Sequence, residues 1–135
     1  MSIQPTALEI RRLTEVARRE LADAAIVGLS SDGSFEHAYV AALTAATILI
    51  RGLGERIHGA EHHRLTFVRL GELAGNRWAS AANYFQHCRV RRNRSMYDLA
   101  GGVSATEARE LRVQAERLLA EVHDWLRAER PELFP

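Results

Sequence analysis

Apolar side chains recur along this chain at every third or fourth residue in five stretches, and nowhere do they alternate over the length of a strand. The first stretch opens on Thr6-Ala7-Leu8-Glu9, a capping box in which the threonine oxygen takes one free amide and the glutamate reaches back to another. Leu8, Leu13, Val16, Ala17, Leu21, Ala24 and Ala25 then mark an apolar face, with Arg11, Arg12, Glu15, Arg18, Arg19 and Glu20 mainly opposite, and the helix should end near Gly28. After the turn cluster Ser30-Ser31-Asp32-Gly33-Ser34, residues 35–51 are apolar around most of a helix, so this segment should be central. Its alanines at 38, 41, 42, 45 and 46 admit a neighbouring backbone, while Tyr39, Leu43, Ile48 and Leu49 fill volume. Gly52 and Gly54 break it.

A third helix is expected over about residues 60–73, with Leu65, Val68 and Leu70 inward and a stop at Gly75-Asn76. A fourth covers about residues 77–95, where the stripe Trp78, Ala81, Ala82, Phe85 and Cys88 gives way to arginines, and Gly101-Gly102 breaks the chain again. Ser104-Ala105-Thr106-Glu107 is a second capping box. It opens a last helix with Ala108, Leu111, Ala115, Leu118, Leu119, Val122, Trp125 and Leu126 on one face, stopped by Pro131. The sum is one all-α domain over residues 1–135, an up-and-down bundle of about five helices. Ala42, Ala46 and Trp125 should be buried, and the last helix should pack beside the arginine-bearing one.

A chain of 135 residues can bury a core without disulfide or metal support. The lone Cys88 has no partner for an intramolecular disulfide, and residues 1–5 lack the charged start and apolar run of a signal peptide. The longest nearly apolar run, residues 38–50, holds two threonines and falls short of the ~20 residues a membrane span needs. A cytoplasmic protein that does not enter membranes is the expectation. The net charge of +1 gives no global pull toward nucleic acid, so any such binding must be local. All 18 cationic side chains are arginine, which a GC-rich genome explains without any special chemistry.

His58, His62 and His63, near Glu55 and Glu61, invite a metal reading. Gly59 between them argues for a helix start that leaves the rings on different faces, so no metal is expected. Asn93-Arg94-Ser95 matches a glycosylation sequon that a cytosolic chain cannot use. Serine nucleophile elbows, phosphate-binding glycine loops and paired-cysteine zinc patterns are absent. What remains is residues 87–98: between Glu72 and Asp98 stand five arginines and no acid. Arginine forks suit phosphate oxygens, and Asn93, Tyr84 and Tyr97 add hydrogen bonding and a surface for a base. The same arginines would equally suit a helix C-terminus, complementing its dipole and pairing with Glu107, Glu110 or Glu116 of the last helix.

Arg92-Asn93-Arg94-Ser95-Met96-Tyr97 resembles the signature of the HEPN superfamily (higher eukaryotes and prokaryotes nucleotide-binding), small helical domains whose core motif is an arginine, usually an asparagine, a few variable residues and a histidine. The order of elements is similar too. An alanine-rich helix, a helix opening near Glu61-His62-His63, the arginine motif, a glycine break and a capped final helix reaching Trp125 extend the resemblance over about residues 35–130.

Many members of that superfamily are metal-independent ribonucleases, often toxins of toxin–antitoxin pairs, whose motif arginine and histidine meet across a homodimer; others lack the histidine and act as binding modules. The resemblance therefore implies an RNA- or nucleotide-binding homodimer that needs no cofactor. Arg92 and Tyr97 take the catalytic positions, and Arg89, Arg91, Arg92, Asn93 and Arg94 bind phosphate. The chain departs from the motif where Tyr97 stands in place of histidine and Leu99 in place of the tyrosine some toxins carry. A phenol titrates near ~10 and an imidazole near ~6.5, so catalysis through Tyr97 should be weak or absent. The alternative is a non-catalytic interaction module that pairs with a partner such as a nucleotidyltransferase.

Overall fold

The computed structural model describes residues 4–97 and 102–135, leaving out the side chains of 95–97. Five helices follow one another: α1 (Ala7–Ala24), α2 (Ser31–Gly52), α3 (His62–Asn76), α4 (Ala79–Tyr97) and α5 (Ala105–Glu129), with a final 3-10 turn, Pro131–Leu133. No strand occurs among the described residues. The all-α bundle expected from the periodicity is the fold.

Helix α2 is the axis on which the others pack. It starts four residues before the expected Phe35, because Ser30 accepts the Gly33 amide at 3.0 Å and so lets the turn cluster become the first helical turn. Ala38, Ala42, Ala45 and Ala46 are fully buried, with Tyr39, Ile48 and Leu49 equally so. Its length and composition would suffice to cross a bilayer, yet 56 % of that window is buried within the molecule, as a core helix requires. At its C-terminal end Gly52 lets α5 come close: a methyl there would sit 2.9 Å from the Leu126 side chain.

Helix α1 does not bury quite the face its pattern suggested. Ile10, Thr14, Ala17 and Ala24 are buried, Leu13 and Leu21 partly so, and Leu8 is 44 % exposed. Thr14 can enter the core because its hydroxyl donates to the Ile10 carbonyl at 2.8 Å and also bonds His123 of α5 at 2.8 Å. Thr6 caps the helix by accepting from the Glu9 amide at 3.1 Å. The Glu9 carboxylate is held mainly by Arg51, which donates through Nε at 2.8 Å and Nη2 at 2.9 Å; the Thr6 amide is its least influence.

In α3 the inward set is Thr66, Phe67, Leu70 and Leu73; Val68 is 41 % exposed and Leu65 only half-buried. Leu70 is inward as expected, whereas Leu65 and Val68 give way to their neighbours Thr66 and Phe67, each turned by ~100° on the helix. Three residues in left-handed conformation, Ala74 (φ 53), Gly75 (φ 65) and Asn76 (φ 63), turn the chain sharply into α4. The two helices therefore pair as a hairpin, tied by Gln86 Nε2 donating to the Arg64 carbonyl at 2.9 Å.

Helix α5 begins at the expected capping box, with both the Ser104 and the Glu107 bonds formed. It lies along α2 and meets α4 only marginally, so the expectation of packing beside the arginine helix is corrected. The cause is the alanine surface of α2, which accepts α5 at close range. Trp125 is half-buried instead of buried, edge-on to Trp78 at 6.2 Å.

Candidate functional site

The arginines of α4 leave the helix in different directions and meet different elements. Arg91 turns to α5, where Nε donates to Glu107 at 3.0 Å and Nη2 to the Gly102 carbonyl. This is the helix-end pairing that the sequence offered as an alternative to phosphate binding. Arg92 turns to α2 instead: Nε and Nη2 grip the Glu36 carboxylate at 2.7 and 2.9 Å, and its guanidinium lies 5.0 Å over the Tyr39 ring. Arg94 is exposed, with no side-chain partner among the described residues.

Arg89 and Asn93, one helical turn apart, face α3. With Ala60, Glu61, His62, His63 and Arg64 they line an open cavity of about 260 Å³ at the start of that helix, the Glu61 carboxylate being paired with Arg64. Gln86 sets Arg89 in place: while its amide nitrogen holds the Arg64 carbonyl, its oxygen accepts from Arg89 Nε at 2.8 Å. The terminal nitrogens of Arg89 keep no protein acceptor among the described residues, so they can donate to an entering anion.

The two histidines differ in environment. His62 is exposed, and its Nδ1 lies 3.0 Å from the Gly59 carbonyl. A carbonyl only accepts, so in the neutral ring Nδ1 carries the hydrogen and Nε2 keeps a lone pair. His63 is half-buried, its Nδ1 3.1 Å from the Tyr39 hydroxyl and its ring 4.5 Å from that of His62. Burial foremost, then His62 and Arg92, push His63 below the ordinary imidazole range, which favours the neutral ring. Tyr39 is pushed up to about 12 by burial and keeps its proton.

The expected site residues are thus divided. Arg89 and Asn93 share the cavity, Arg91 and Arg92 are turned away into ion pairs, and the Tyr97 side chain lies outside the described residues, as do Asp98, Leu99 and Gly101. Tyr84 packs against the core, where burial raises its hydroxyl well above the phenol range, so it is no platform for a base. Cys88 is buried, and its thiol is pushed up to about 11 by burial, an unreactive state. Sequence reasoning weighed His62 and His63 only as metal ligands. What it lacked was the hairpin that lays them beside Arg89, a contact between positions 26 or more residues apart.

The acids near those histidines are engaged otherwise, Glu55 with Arg69 at 2.7 Å and Glu61 with Arg64 at 3.1 Å. Glu20, Asp23 and His37, between α1 and α2, offer ligand atoms within 4.8 Å of one another. There His37 Nδ1 meets Glu20 at 2.7 Å, which a hydrogen bond accounts for without an ion. Compared with family models, curated proteins and solved structures, the chain matches none.

Proposed function

We propose that this chain is a HEPN-like cytoplasmic domain that binds single-stranded RNA at the cleft between α3 and α4 and cleaves it slowly without metal. The observation that carries the reading is the cavity where a guanidinium with open donors, an amide and two imidazoles face one another. Arg89 and Asn93 take the phosphodiester oxygens. The Nε2 lone pair of His62 takes the proton of the ribose 2′-hydroxyl, whose oxygen attacks the adjacent phosphorus. The bond from phosphorus to the 5′-oxygen breaks, a proton from water completes the 5′-hydroxyl, and the other product ends in a 2′,3′-cyclic phosphate. Arg89 offsets the charge that builds on the phosphorus oxygens. The imidazole missing from α4, where Tyr97 stands, is in this reading supplied by α3.

Arg92 then has a positioning role: it joins α4 to α2 through Glu36 and stacks on Tyr39, which in turn holds His63. A homodimer that places two clefts side by side would track more of a strand than one shallow site can. Light scattering at micromolar concentration should report a dimer.

The test is cleavage of a single-stranded RNA in the presence of a chelator. The native protein should yield 2′,3′-cyclic ends, a substrate with a single 2′-deoxyribose should resist at that position, and His62→Ala should lower the rate by about 10²–10⁴ while RNA stays bound. Equal cleavage by His62→Ala and native protein overturns the assignment of the base. Absence of RNA binding overturns the function.

A further inference from the structure

A second cavity, which shares no lining residue with the cleft of Arg89 and Asn93, is built by three elements. Helices α1 and α5 both lie along α2 but touch each other little, which leaves a groove between them. Pro131 ends α5 and turns the chain so that Leu133 drops into the core and Phe134 folds against His123 at 5.3 Å. The result closes one end of the groove into a pocket of about 370 Å³, at the small end of the ~300–1,000 Å³ usual for small-molecule sites.

Its walls have two characters. Ile10, Leu133 and Phe134 supply an apolar wall. Facing it are Arg11, Arg18 and Arg127, with Glu15 the one acidic side chain on the lining and Pro135 beside Phe134. Among the described residues, Arg11 and Arg18 have no carboxylate within ion-pairing distance, while Arg127 has only a long contact to the exposed Asp124, 3.7 Å, and stands 5.4 Å over the Phe134 ring.

Inside the pocket the buried Thr14 hydroxyl gives its hydrogen to the Ile10 carbonyl, so it accepts from His123, and Nε2 is the protonated nitrogen. The remaining ring nitrogen, Nδ1, becomes a donor when the imidazole takes up a second proton. We infer that this pocket binds a small organic carboxylate with an apolar, ring-sized body: the carboxylate meets Arg11, Arg18 and His123, and the body lies on Ile10, Leu133 and Phe134. A bare inorganic anion would leave the apolar wall uncovered, and a neutral ring would leave the guanidiniums without a partner.

Burial, Arg18 and Arg127 push the His123 imidazole down, and Asp124 opposes them. A bound carboxylate would offset both arginines, so ligand uptake should raise the imidazole's affinity for a proton. Glu15 and Arg11 also face the pocket from α1.

The experiment uses the full chain at low salt, with phenylacetate, 2-phenylethanol and inorganic phosphate as probes and the His123 ring resonances as the readout. Phenylacetate should shift those resonances saturably and raise the pH at which they titrate. The neutral alcohol should bind more weakly by about tenfold or more, as should phenylacetate to Arg18→Ala, one charge-assisted pair being worth about 1.5–3 kcal/mol. Phe134→Ala, which keeps the arginines, should weaken phenylacetate and leave phosphate as it is. Equal binding of alcohol and carboxylate overturns the anion site. Phosphate binding as tightly as phenylacetate overturns the apolar part of the ligand. No saturable shift with any probe overturns the pocket as a binding site. Since Arg18 and Phe134 are not among the residues that line the cleft between α3 and α4, RNA binding by the same variants should be unchanged.

Discussion

Arg89 and Arg92 are three positions apart on one helix, yet they are expected to behave differently. Arg89 has open donors in the cleft, whereas Arg92 is gripped by Glu36 and half shielded by Tyr39. Arg89→Ala should weaken RNA binding by about tenfold with little change in unfolding, the loss of one charge-assisted contact. Arg92→Ala should act mainly on stability, about 1 kcal/mol after allowing for the 43 % exposure of the Glu36 side chain. Filter binding and urea denaturation on the two variants separate these outcomes. The reverse pattern would return the phosphate to Arg92, the position the motif resemblance favours. At this scale the sequence made arginine chemistry visible but could not assign it, because the partner of Arg92 lies 56 residues away on α2.

Arg51 makes a related point about burial. Its side chain is only 5 % exposed, and the Glu9 carboxylate and the Glu55 carbonyl take its donors. Glu9→Ala would remove the carboxylate that takes two hydrogen bonds from this nearly buried guanidinium. The expected cost is about 1–3 kcal/mol, less than for a fully buried pair because the Glu9 side chain is 31 % exposed. Chemical denaturation measures it; a change under a few tenths of a kcal/mol would mean that Arg51 reaches water or another acid.

Among the elements, the two capping boxes and the glycine breaks placed every helix to within a few residues, since those signals are local in the chain. Which face each helix buries was less legible. In α1 the alanines and leucines spread too widely to single out one stripe, and the buried Thr14 is invisible to a hydrophobic pattern. In α3 the inward Thr66 misled the reading in the same way. The His62–Arg89 cleft was illegible because it needs the Ala74–Asn76 turn, two of whose residues adopt positive φ without being glycine.

The close approach of α2 and α5 leads to a prediction against helix propensity. Gly52→Ala would normally stabilise a helix by about 1 kcal/mol. Here the added methyl falls 2.9 Å from both Leu126 methyl groups, and Leu126 is fully buried, so the side chain must shift within the core. Overpacking should prevail and lower stability by about 1–2 kcal/mol. A higher melting temperature for the variant would show that the two helices can part at that end.

For the whole molecule, the depressed ionisations add to one pH profile with two falling limbs. His63 and His123 are both held below the ordinary imidazole range, chiefly by burial. The unfolded chain therefore binds protons at these sites before the folded one does. Their contribution is complete above the unfolded value of ~6.5 and is lost as pH falls toward the folded values. Glu9 and Glu55, held down by Arg51 and Arg69, and Glu107, held down by the Ser104 amide and Arg91, contribute fully above the ordinary carboxylate range and lose that contribution below it. Urea midpoints should accordingly be level from about pH 8 to 7, decline between about pH 6.5 and 5, and fall more steeply under pH 4. His63→Gln isolates the first limb, because the amide can still meet the Tyr39 hydroxyl but binds no proton, so its decline between pH 6.5 and 5 should be shallower than that of the native protein. If instead the variant and the native protein decline in parallel across that window, the His63 ring takes its proton within the fold at no cost, and the buried imidazole beside Tyr39 is open to water.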